Sequence, residues 1–224
     1  MTRLHRTRLL FGNEATEKLQ KSTVMVVGCG AVGSFAIEAL ARSGVGNLII
    51  VDFDTVEESN INRQLFALDS TIGLPKVSVA SNRIHDINPS VNVTALNMFF
   101  DGASDINQHP DYIIDAIDTV ESKIALYKWA HHKNIPLISS MGAALKTDVS
   151  QIKLSTISKT SVCPLAARVR RGVRDNDLPD FACIFSTEHP APVFEHAKNL
   201  GSIITVTGTF GLMLANWVIG QIIK

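Results

Sequence analysis

The chain has 224 residues and a mass of 24.3 kDa, with 46% hydrophobic residues and 21 basic side chains against 21 acidic ones. This length predicts one large domain with a substantial core and leaves no room for a second full domain. A formal charge of zero excludes attraction of nucleic acid by the field of the whole protein, so that any such binding must use a local basic patch.

The cysteines and histidines bear on the redox compartment and on metal binding. Cys29, Cys163 and Cys183 are too few and too scattered for a disulfide framework, and no signal sequence opens the chain. No C-x-x-C pair occurs, and the histidines, including the adjacent His131 and His132, lack the spacing of metal ligands. We therefore expect a cytoplasmic protein that binds no zinc.

The first 22 residues are expected to form a basic arm followed by a short helix. Three arginines and no acid stand between Arg3 and Arg8. Asn13 can cap a helix at 14–21, because its side-chain oxygen can accept hydrogen bonds from the free N–H groups of the first turn. The sequence around Arg8 is also compatible with a solvated side chain in a basic tail that has no specific function.

A glycine loop follows. The strand predicted at 24–27 leads into G-C-G-A-V-G at 28–33, which opens a helix. Gly28 and Gly30 permit a tight turn whose backbone approaches phosphate oxygens closely, and Gly33 lets the helix pack on its strand. The next strand, at 48–51, ends at Asp52, a carboxylate suited to a ribose diol. The pattern is typical of nucleotide binding, most often of dinucleotides.

Residues beyond Asp52 favour ATP over NAD. Two cations and two amides stand just past the expected nucleotide pocket: Arg63, Lys76, Asn60 and Gln64. A hydride transferase has no use for cations there. An enzyme that breaks the α–β bond of ATP needs them, because charge develops on the departing pyrophosphate.

Strand and helix patterns alternate through the next part of the chain. Helices are predicted at 76–87 and 120–132, and strands at 91–96, 111–118, 136–140 and 149–154. This alternation predicts an α/β fold with a doubly wound, mostly parallel, Rossmann-like sheet. Residues 23–160 would form its nucleotide-binding core.

The strand predicted at 111–118 ends in Asp118. Ligands bind at such strand ends in open α/β sheets, and a carboxylate there is a candidate ligand for Mg²⁺. A second interpretation needs no metal, because an aspartate just before a helix that begins near Val120 can also cap that helix. The two roles are compatible.

A basic helix is predicted after Pro164, which suits a first helical turn. No acid stands between 149 and 174, and the helix carries four arginines: Arg168, Arg170, Arg171 and Arg174. Gly172 is expected to weaken its end. The four charges predict contact with nucleic-acid phosphates, and the alternative is a solvated helix face.

The tail at 203–223 contains 21 residues without a charge, which is long enough for a membrane span. Its threonines, Asn216 and Gln221 make it polar for lipid, and Gly208 and Gly211 suit close contact between helices. We therefore expect residues 201–224 to form a helix buried against the sheet or at a dimer interface. Peripheral association with a membrane is the less favoured alternative.

Several blocks, in their order along the chain, resemble the ubiquitin-activating (E1-like) adenylating superfamily. They are the glycine loop, D-x-D at 52–54, N-x-x-R-Q at 60–64, G-x-x-K at 73–76 and the strand-terminal I-D at 117–118, within roughly residues 8 to 160. The resemblance implies an adenylation domain that binds ATP and Mg²⁺, with Asp118 holding the metal. It implies that these residues bind the nucleotide: Gly28, Gly30, Ala31, Gly33, Asp52, Asp54, Asn60, Arg63, Gln64, Lys76 and Asp118.

The same resemblance implies catalytic roles and an oligomer. Arg63, Lys76 and Asp118 would act on the reacting phosphates, and Arg8 would reach the ATP of the partner subunit in a symmetric homodimer. One departure from the superfamily pattern is Ala31, which replaces a common glycine of the phosphate loop.

Two further phrases, C-P-L-A-A-R at 163–168 and C-I-F-S-T-E at 183–188, resemble blocks of the tRNA threonylcarbamoyladenosine dehydratases. That resemblance implies ATP-dependent cyclisation of the modified nucleoside through adenylation of its carboxylate, a tRNA substrate, and a substrate or crossover region at 161–200. The segment from Glu188 to Gly201 is shorter than in the longer dehydratases. A sulfur-relay partner protein is a possible associate.

Other functions stay open at this point. One is an adenylyltransferase that activates the C-terminal glycine of a ubiquitin-like sulfur carrier, although the paired cysteines common in such enzymes are absent. Another is a non-catalytic nucleotide-binding regulatory module, against which Arg63, Lys76 and Asp118 argue. Cys163 or Cys183 could carry an acyl group, but small cysteines are more often buried apolar residues, and that interpretation is favoured.

Overall fold

The computed structural model describes residues 2–102, 106, 108–192 and 200–224. Within these residues the chain forms seven strands and six α-helices. The strands are β1 (Thr23–Val27), β2 (Asn47–Asp52), β3 (Asn92–Asn97), β4 (Tyr112–Asp115), β5 (Leu137–Ser140), β6 (Ile152–Thr156) and β7 (Ala182–Ser186). The helices are α1 (His5–Lys21), α2 (Gly33–Ser43), α3 (Lys76–Ile87), α4 (Val120–His132), α5 (Pro164–Asp175) and α6 (Ile204–Ile222).

The strands form one sheet in the order β3-β2-β1-β4-β5-β7-β6, and every neighbouring pair is parallel except β6 with β7. The predicted doubly wound, mostly parallel sheet is confirmed. The chain winds outward from β1 to β3 and then returns to place β4 on the other side of β1. Open sheets of this kind bind ligands at such a reversal, which here lies at the carboxyl ends of β1 and β4.

Each face of the sheet buries its own core, because strands flanked by parallel neighbours carry apolar residues on both sides. Helices α2, α3 and α6 pack on one face together with residues such as Val24, Val26 and Ile50. Helices α4 and α5 pack on the other, against Met25 and Ile49. Residues that alternate along one strand therefore pack into the two cores on opposite faces of the sheet.

Helix α6 is the predicted apolar tail helix, and it is buried against α2 and the sheet. Gly208 and Gly211 make this close packing possible. A Cβ atom at Gly211 would overlap the carbonyl oxygen of Val32, and one at Gly208 would press on the ring of Phe35. In the described ranges, no helix combines the length and hydropathy needed to cross a bilayer.

Three predicted boundaries differ from the structure. The strand predicted at 111–118 ends at Asp115, so that Asp118 lies beyond it. The N-terminal helix begins at His5, and a break at Gly12 (φ 84°, ψ 175°) separates its unpredicted first part from the part predicted at 14–21. Its start is fixed because Leu4 is buried against Gly44. The strand predicted at 149–154 begins only at Ile152, since Asp148 accepts a hydrogen bond from the backbone N–H of Ser150 and caps a short 3₁₀ turn instead.

Gly172 does not end the basic helix early, because α5 continues to Asp175. A Cβ atom at this position would lie 2.9 Å from the Cδ1 atom of Ile124 in α4. The glycine therefore lets α5 approach α4 closely, and this packing offsets its low helix propensity.

The contact between α2 and α6 can be tested with two alanine substitutions in the same helix. Gly211→Ala should lower the free energy of unfolding by about 1–3 kcal/mol, because the added methyl group forces α6 away from α2. Gly220→Ala is the matched control. It meets no atom within 4 Å and should be neutral or stabilise by up to about 1 kcal/mol. Urea denaturation of both variants checks this, and equal losses of stability would contradict it.

Candidate active site

The glycine loop lies at the switch point of the sheet and contacts the turn after β4. Gly28 has φ 98°, a conformation that favours glycine, and its N–H donates to the carbonyl oxygen of Val51 at 2.8 Å. A Cβ atom here would lie 2.7 Å from the carbonyl oxygen of Ala116, and one at Gly33 would overlap that of Gly28. Ala31 does not adopt a positive φ, so alanine is accepted in place of glycine.

Asp52 ties the glycine loop to the D-x-D segment. Its Oδ2 atom accepts from the N–H of Cys29 at 2.6 Å, and its Oδ1 atom accepts from the N–H of Asp54 at 2.9 Å. The carboxylate is half-buried at the end of β2. Each oxygen keeps a further lone pair, so that hydroxyl groups of a ribose can still be accepted there.

Lys76 is oriented by Asp54. The Nζ atom lies 2.8 Å from Oδ2 of Asp54, and the lysine side chain is only 8% exposed while that of the aspartate is 47% exposed. The backbone supports the same pairing, since the N–H of Lys76 donates to the carbonyl oxygen of Asp54. The ammonium group therefore stands at the N-terminus of α3, where an anion is also favoured by the helix dipole.

The predicted amides and arginine lie on the loop between β2 and α3. Asn60 is buried and its Oδ1 atom accepts from the N–H of Glu57, so that this side chain shapes the loop. Gln64 is also buried and lies beside Gly30. The Nη1 atom of Arg63 donates to the carbonyl oxygen of Ser59 and to Asn62 Oδ1, both at 2.8 Å.

Asp118 follows the turn that contacts Gly28. Its side chain is exposed, and its carboxylate has no hydrogen-bond or ion-pair partner among the described residues. The cap position of α4 belongs to Thr119, and that cap makes no side-chain hydrogen bond. The geometry thus leaves both oxygens of Asp118 free to meet a cation near the glycine loop.

A buried group that the sequence patterns missed lies below this turn. Lys123 donates to Asp115 Oδ2 at 2.9 Å and to Ser139 Oγ at 3.1 Å, and Ser139 Oγ donates to the same carboxylate oxygen at 2.6 Å. All three side chains are buried, with exposures of 2% or less. Lysine in a helix is normally a surface residue, so only the position of Lys123 on the buried side of α4 could have revealed it.

The arginines lie on other elements. Arg8 is half-buried on α1, and its guanidinium has no hydrogen-bond partner in the described part of the chain. On α5, Arg168, Arg171 and Arg174 are exposed, and Arg174 lies 3.2 Å from Asp175. Arg170 differs, because its Nη1 atom donates to the carbonyl oxygen and the hydroxyl of Thr160 at 2.8 and 2.6 Å.

The two cysteines near α5 are buried. Cys163 is 3% exposed at the cap of α5, where its Sγ atom accepts from the N–H of Ala166, and Cys183 on β7 is fully buried. Burial, with a smaller contribution from the charge of Asp180, raises the pKa of the Cys183 thiol to about 12. A thiol in this state is a poor nucleophile near neutral pH, which supports a packing role.

Within the described residues, no group of three or more His, Cys, Asp and Glu side chains could hold a metal ion on its own. A metal at Asp118 would therefore need further ligands from phosphate oxygens and water, which is the usual manner in which proteins bind Mg²⁺ at nucleotide sites.

The parallel sheet, the glycine loop at its switch point, the acid at the end of β2 and the cations beyond it define an E1-like adenylating protein. The chain belongs to the ThiF family, which matches residues 4–224.

Similar proteins bear on the type of reaction. The tRNA threonylcarbamoyladenosine dehydratase of Bacillus subtilis is 47% identical over 86% of this chain and 78% of its own length. The E. coli dehydratase of the same name, solved in complexes with ATP and with AMP, is 35% identical with a TM-score of 0.92, over 98% of this chain and 93% of its own. A molybdopterin-synthase adenylyltransferase of Haemophilus influenzae is 38% identical, but over only 60% of this chain.

Proposed function

We propose that this protein is a tRNA threonylcarbamoyladenosine dehydratase, which uses ATP to cyclise the modified nucleoside. The observation that carries the proposal is a set of contacts around a glycine loop of the kind that holds nucleotide phosphates. Lys76 pairs with Asp54, which is tied to the loop through Asp52, and Asp118 follows the turn that contacts Gly28. The similarity in sequence and fold to dehydratases that bind ATP supports the choice of reaction within the ThiF family.

ATP would bind with its phosphates on the glycine loop. The backbone N–H groups there and the N-terminus of α2 would receive the phosphate oxygens, and Asp52 would accept from the ribose. Gln64, which lies beside Gly30, would close the loop from the other side. Asp54 holds Lys76 in place by their ion pair, so that the ammonium group is oriented before the nucleotide arrives.

The first half-reaction would be adenylation. A carboxylate oxygen of the nucleoside attacks the α-phosphorus, the bond between that phosphorus and the bridging oxygen breaks, and pyrophosphate leaves. Lys76 and Arg63 would stabilise the charge that develops on the departing group. Asp118 and phosphate oxygens would hold Mg²⁺, which would supply further charge stabilisation.

The second half-reaction would be intramolecular. A nucleophilic group of the same nucleoside attacks the activated acyl carbon and gives up its proton to solvent. The acyl–oxygen bond to AMP breaks, and AMP leaves with the oxygen that the dehydration removes. No protein nucleophile is required, which agrees with the burial of Cys163 and Cys183.

The less favoured alternatives have weaker support. The molybdopterin-synthase adenylyltransferase matches a smaller part of the chain, and the pairs of cysteines common in enzymes that activate sulfur carriers are absent from this sequence. A regulatory module without activity would not require an ordered Lys76 beside the phosphate loop. The cytoplasmic location and a sulfur-relay partner remain predictions.

The single domain would divide into four parts. Residues 1–22 would serve the dimer, 23–160 would bind the nucleotide, 161–200 would meet the substrate, and 201–224 would complete the core. Of the substrate region, 193–199 lie outside the described residues. The exposed arginines of α5 belong to this region and are the proposed contacts for tRNA.

The proposed roles of Lys76 and Asp118 predict a loss of activity when either side chain is removed. Lys76→Ala and Asp118→Ala should each slow pyrophosphate release by about 100-fold or more, because each removes charge stabilisation at the reacting phosphates. The measurement is pyrophosphate release with ATP and tRNA that carries threonylcarbamoyladenosine. Lys153→Ala, an exposed lysine on β6, is the control and should keep full activity. Near-normal turnover of a folded Lys76→Ala or Asp118→Ala variant would refute that residue's role.

The basic face of α5 predicts a change in salt dependence. In Arg168→Ala/Arg171→Ala, the slope of log affinity for tRNA against log salt should fall in magnitude by about 1.4 to 1.8, since each lost phosphate contact counts about 0.7 to 0.9. ATP affinity should not change. Arg42→Ala/Arg83→Ala is the matched control, because these arginines lie on helices of the opposite face and pair with Glu38. An unaltered slope in the first variant would mean that tRNA is held elsewhere, with the arm at 3–8 as the next candidate.

Exposed apolar side chains on α6 and on α1, where they follow Arg8 in the sequence, support the proposed homodimer. Leu9 and Leu10 on α1 are 68% and 74% exposed, and Leu212 on α6 is 52% exposed. A second copy of the chain would cover these apolar side chains, and its Arg8 would then enter the neighbouring ATP site.

The dimer predicts complementation between two inactive variants. Arg8→Ala and Asp118→Ala should each be inactive alone. After subunit exchange, half of the dimers would be mixed and would hold one site free of both lesions, so that about a quarter of the wild-type activity should return. Light scattering confirms the mass of the dimer, and fluorescent labels report the exchange. Absence of recovered activity after complete exchange would exclude a role for Arg8 in the partner's site.

A further inference from the structure

Lys123, Asp115 and Ser139 form a hydrogen-bonded cluster in the interior of the protein. Lys123 is among the largest side chains that are fully buried, with a side-chain exposure of 1%, and Asp115 has 2%. Removing two opposite charges from water costs several kcal/mol for each ion, and apolar residues of the same volume often stabilise a fold equally well. The stability of the core therefore does not by itself account for this cluster.

The position of the carboxylate shows what the cluster holds. Oδ2 of Asp115 accepts two hydrogen bonds, from Lys123 on α4 and from Ser139 on β5. Oδ1 accepts from the backbone N–H of Ile117 at 3.0 Å. The side chain of Asp115 thus joins α4, β5 and the turn between β4 and α4. Asp118 is the next residue after Ile117 in that turn.

The same turn contacts the phosphate loop. The carbonyl oxygen of Ala116 lies only 2.7 Å from where a Cβ atom of Gly28 would be, and the N–H of Ala116 donates to the carbonyl oxygen of Val27 at 2.9 Å. The turn is therefore hydrogen-bonded both to the carboxylate of Asp115 and to the backbone of β1. A displacement of the turn would move Asp118 relative to the glycine loop.

We infer that Lys123 and Ser139 are positioning residues that hold the Asp115 carboxylate, and through it the turn that presents Asp118 to a magnesium ion on the nucleotide. The inference rests on the proposed role of Asp118. It adds that the metal ligand, which is exposed and has no partner of its own in the described residues, depends on this buried ion pair for its orientation. Outer-shell partners of metal ligands act in this way in general.

Binding of ATP provides a measurement that does not depend on turnover. The dissociation constant of ATP is measured by calorimetry with Mg²⁺ and with EDTA. The ratio of the constant in EDTA to the constant in Mg²⁺ gives the contribution of the metal to ATP binding. Lys123→Met keeps most of the side-chain volume but removes the ammonium group. We expect its ratio to fall about tenfold, at the lower end of what loss of an outer-shell partner costs. ATP affinity in EDTA should change little. Ser139→Ala, which removes one of the two bonds to Oδ2, should shift the ratio in the same direction by less.

Two further variants separate the possible explanations. Leu126→Ala removes a fully buried side chain of α4 outside the cluster, so it should lower stability without changing the ratio. Asp118→Asn removes the charge of the proposed ligand itself and should lower the ratio at least as much as Lys123→Met does. Thermal unfolding of each variant reports stability separately.

The outcomes distinguish this inference from the proposed function. If Asp118→Asn leaves the ratio unchanged, the metal role of Asp118 is wrong, and the positioning role is wrong with it. If Asp118→Asn lowers the ratio but Lys123→Met and Ser139→Ala do not, only the positioning role is overturned. An equal fall in Leu126→Ala also overturns it, since general loosening of α4 would then explain the effect. Should Lys123→Met fail to fold, Ser139→Ala decides the question.

Discussion

The close approach between Gly28 and the turn after β4 is the constraint on which the rest of the site depends. Because position 28 has no Cβ atom, the backbone of the phosphate loop can lie directly against the carbonyl group of Ala116. This contact joins the two halves of the sheet at the point where the order of strands reverses. In the proposed function, a nucleotide bound there would be reached from one half by Asp52 and Lys76, and from the other half by Asp118.

Charged groups at this edge are held by partners before any ligand binds. Asp52 accepts two backbone N–H groups, Lys76 is paired with Asp54, and the turn before Asp118 is fixed by Asp115. Groups that are already oriented lose little freedom when charge develops on the substrate, which is the basis of electrostatic preorganisation. Asp118 is the exception, because its orientation depends on the turn and not on a partner of its own.

The glycine loop, Asp52 and the parallel sheet could be predicted from the sequence because their signals are local. Glycine spacing, strand periodicity and the acid at the strand end lie within one stretch of chain. The pairing of Lys76 with Asp54 joins residues 22 apart, and the buried Lys123 joins α4 to two strands. Neither interaction could be predicted from a local pattern in the sequence. The early start of α1 was missed for a similar reason, since it depends on Leu4 packing against Gly44.

The position of α6 has a consequence for synthesis of the chain. This helix spans Ile204–Ile222, and its buried side fills the core above α2 and the central strands. The chain up to residue 203 and the helix itself must therefore leave the ribosome before that face of the sheet can be covered. Until then, the apolar residues of β1 and α2 lack their last neighbour, and the nascent chain exposes a surface that chaperones recognise and that promotes aggregation.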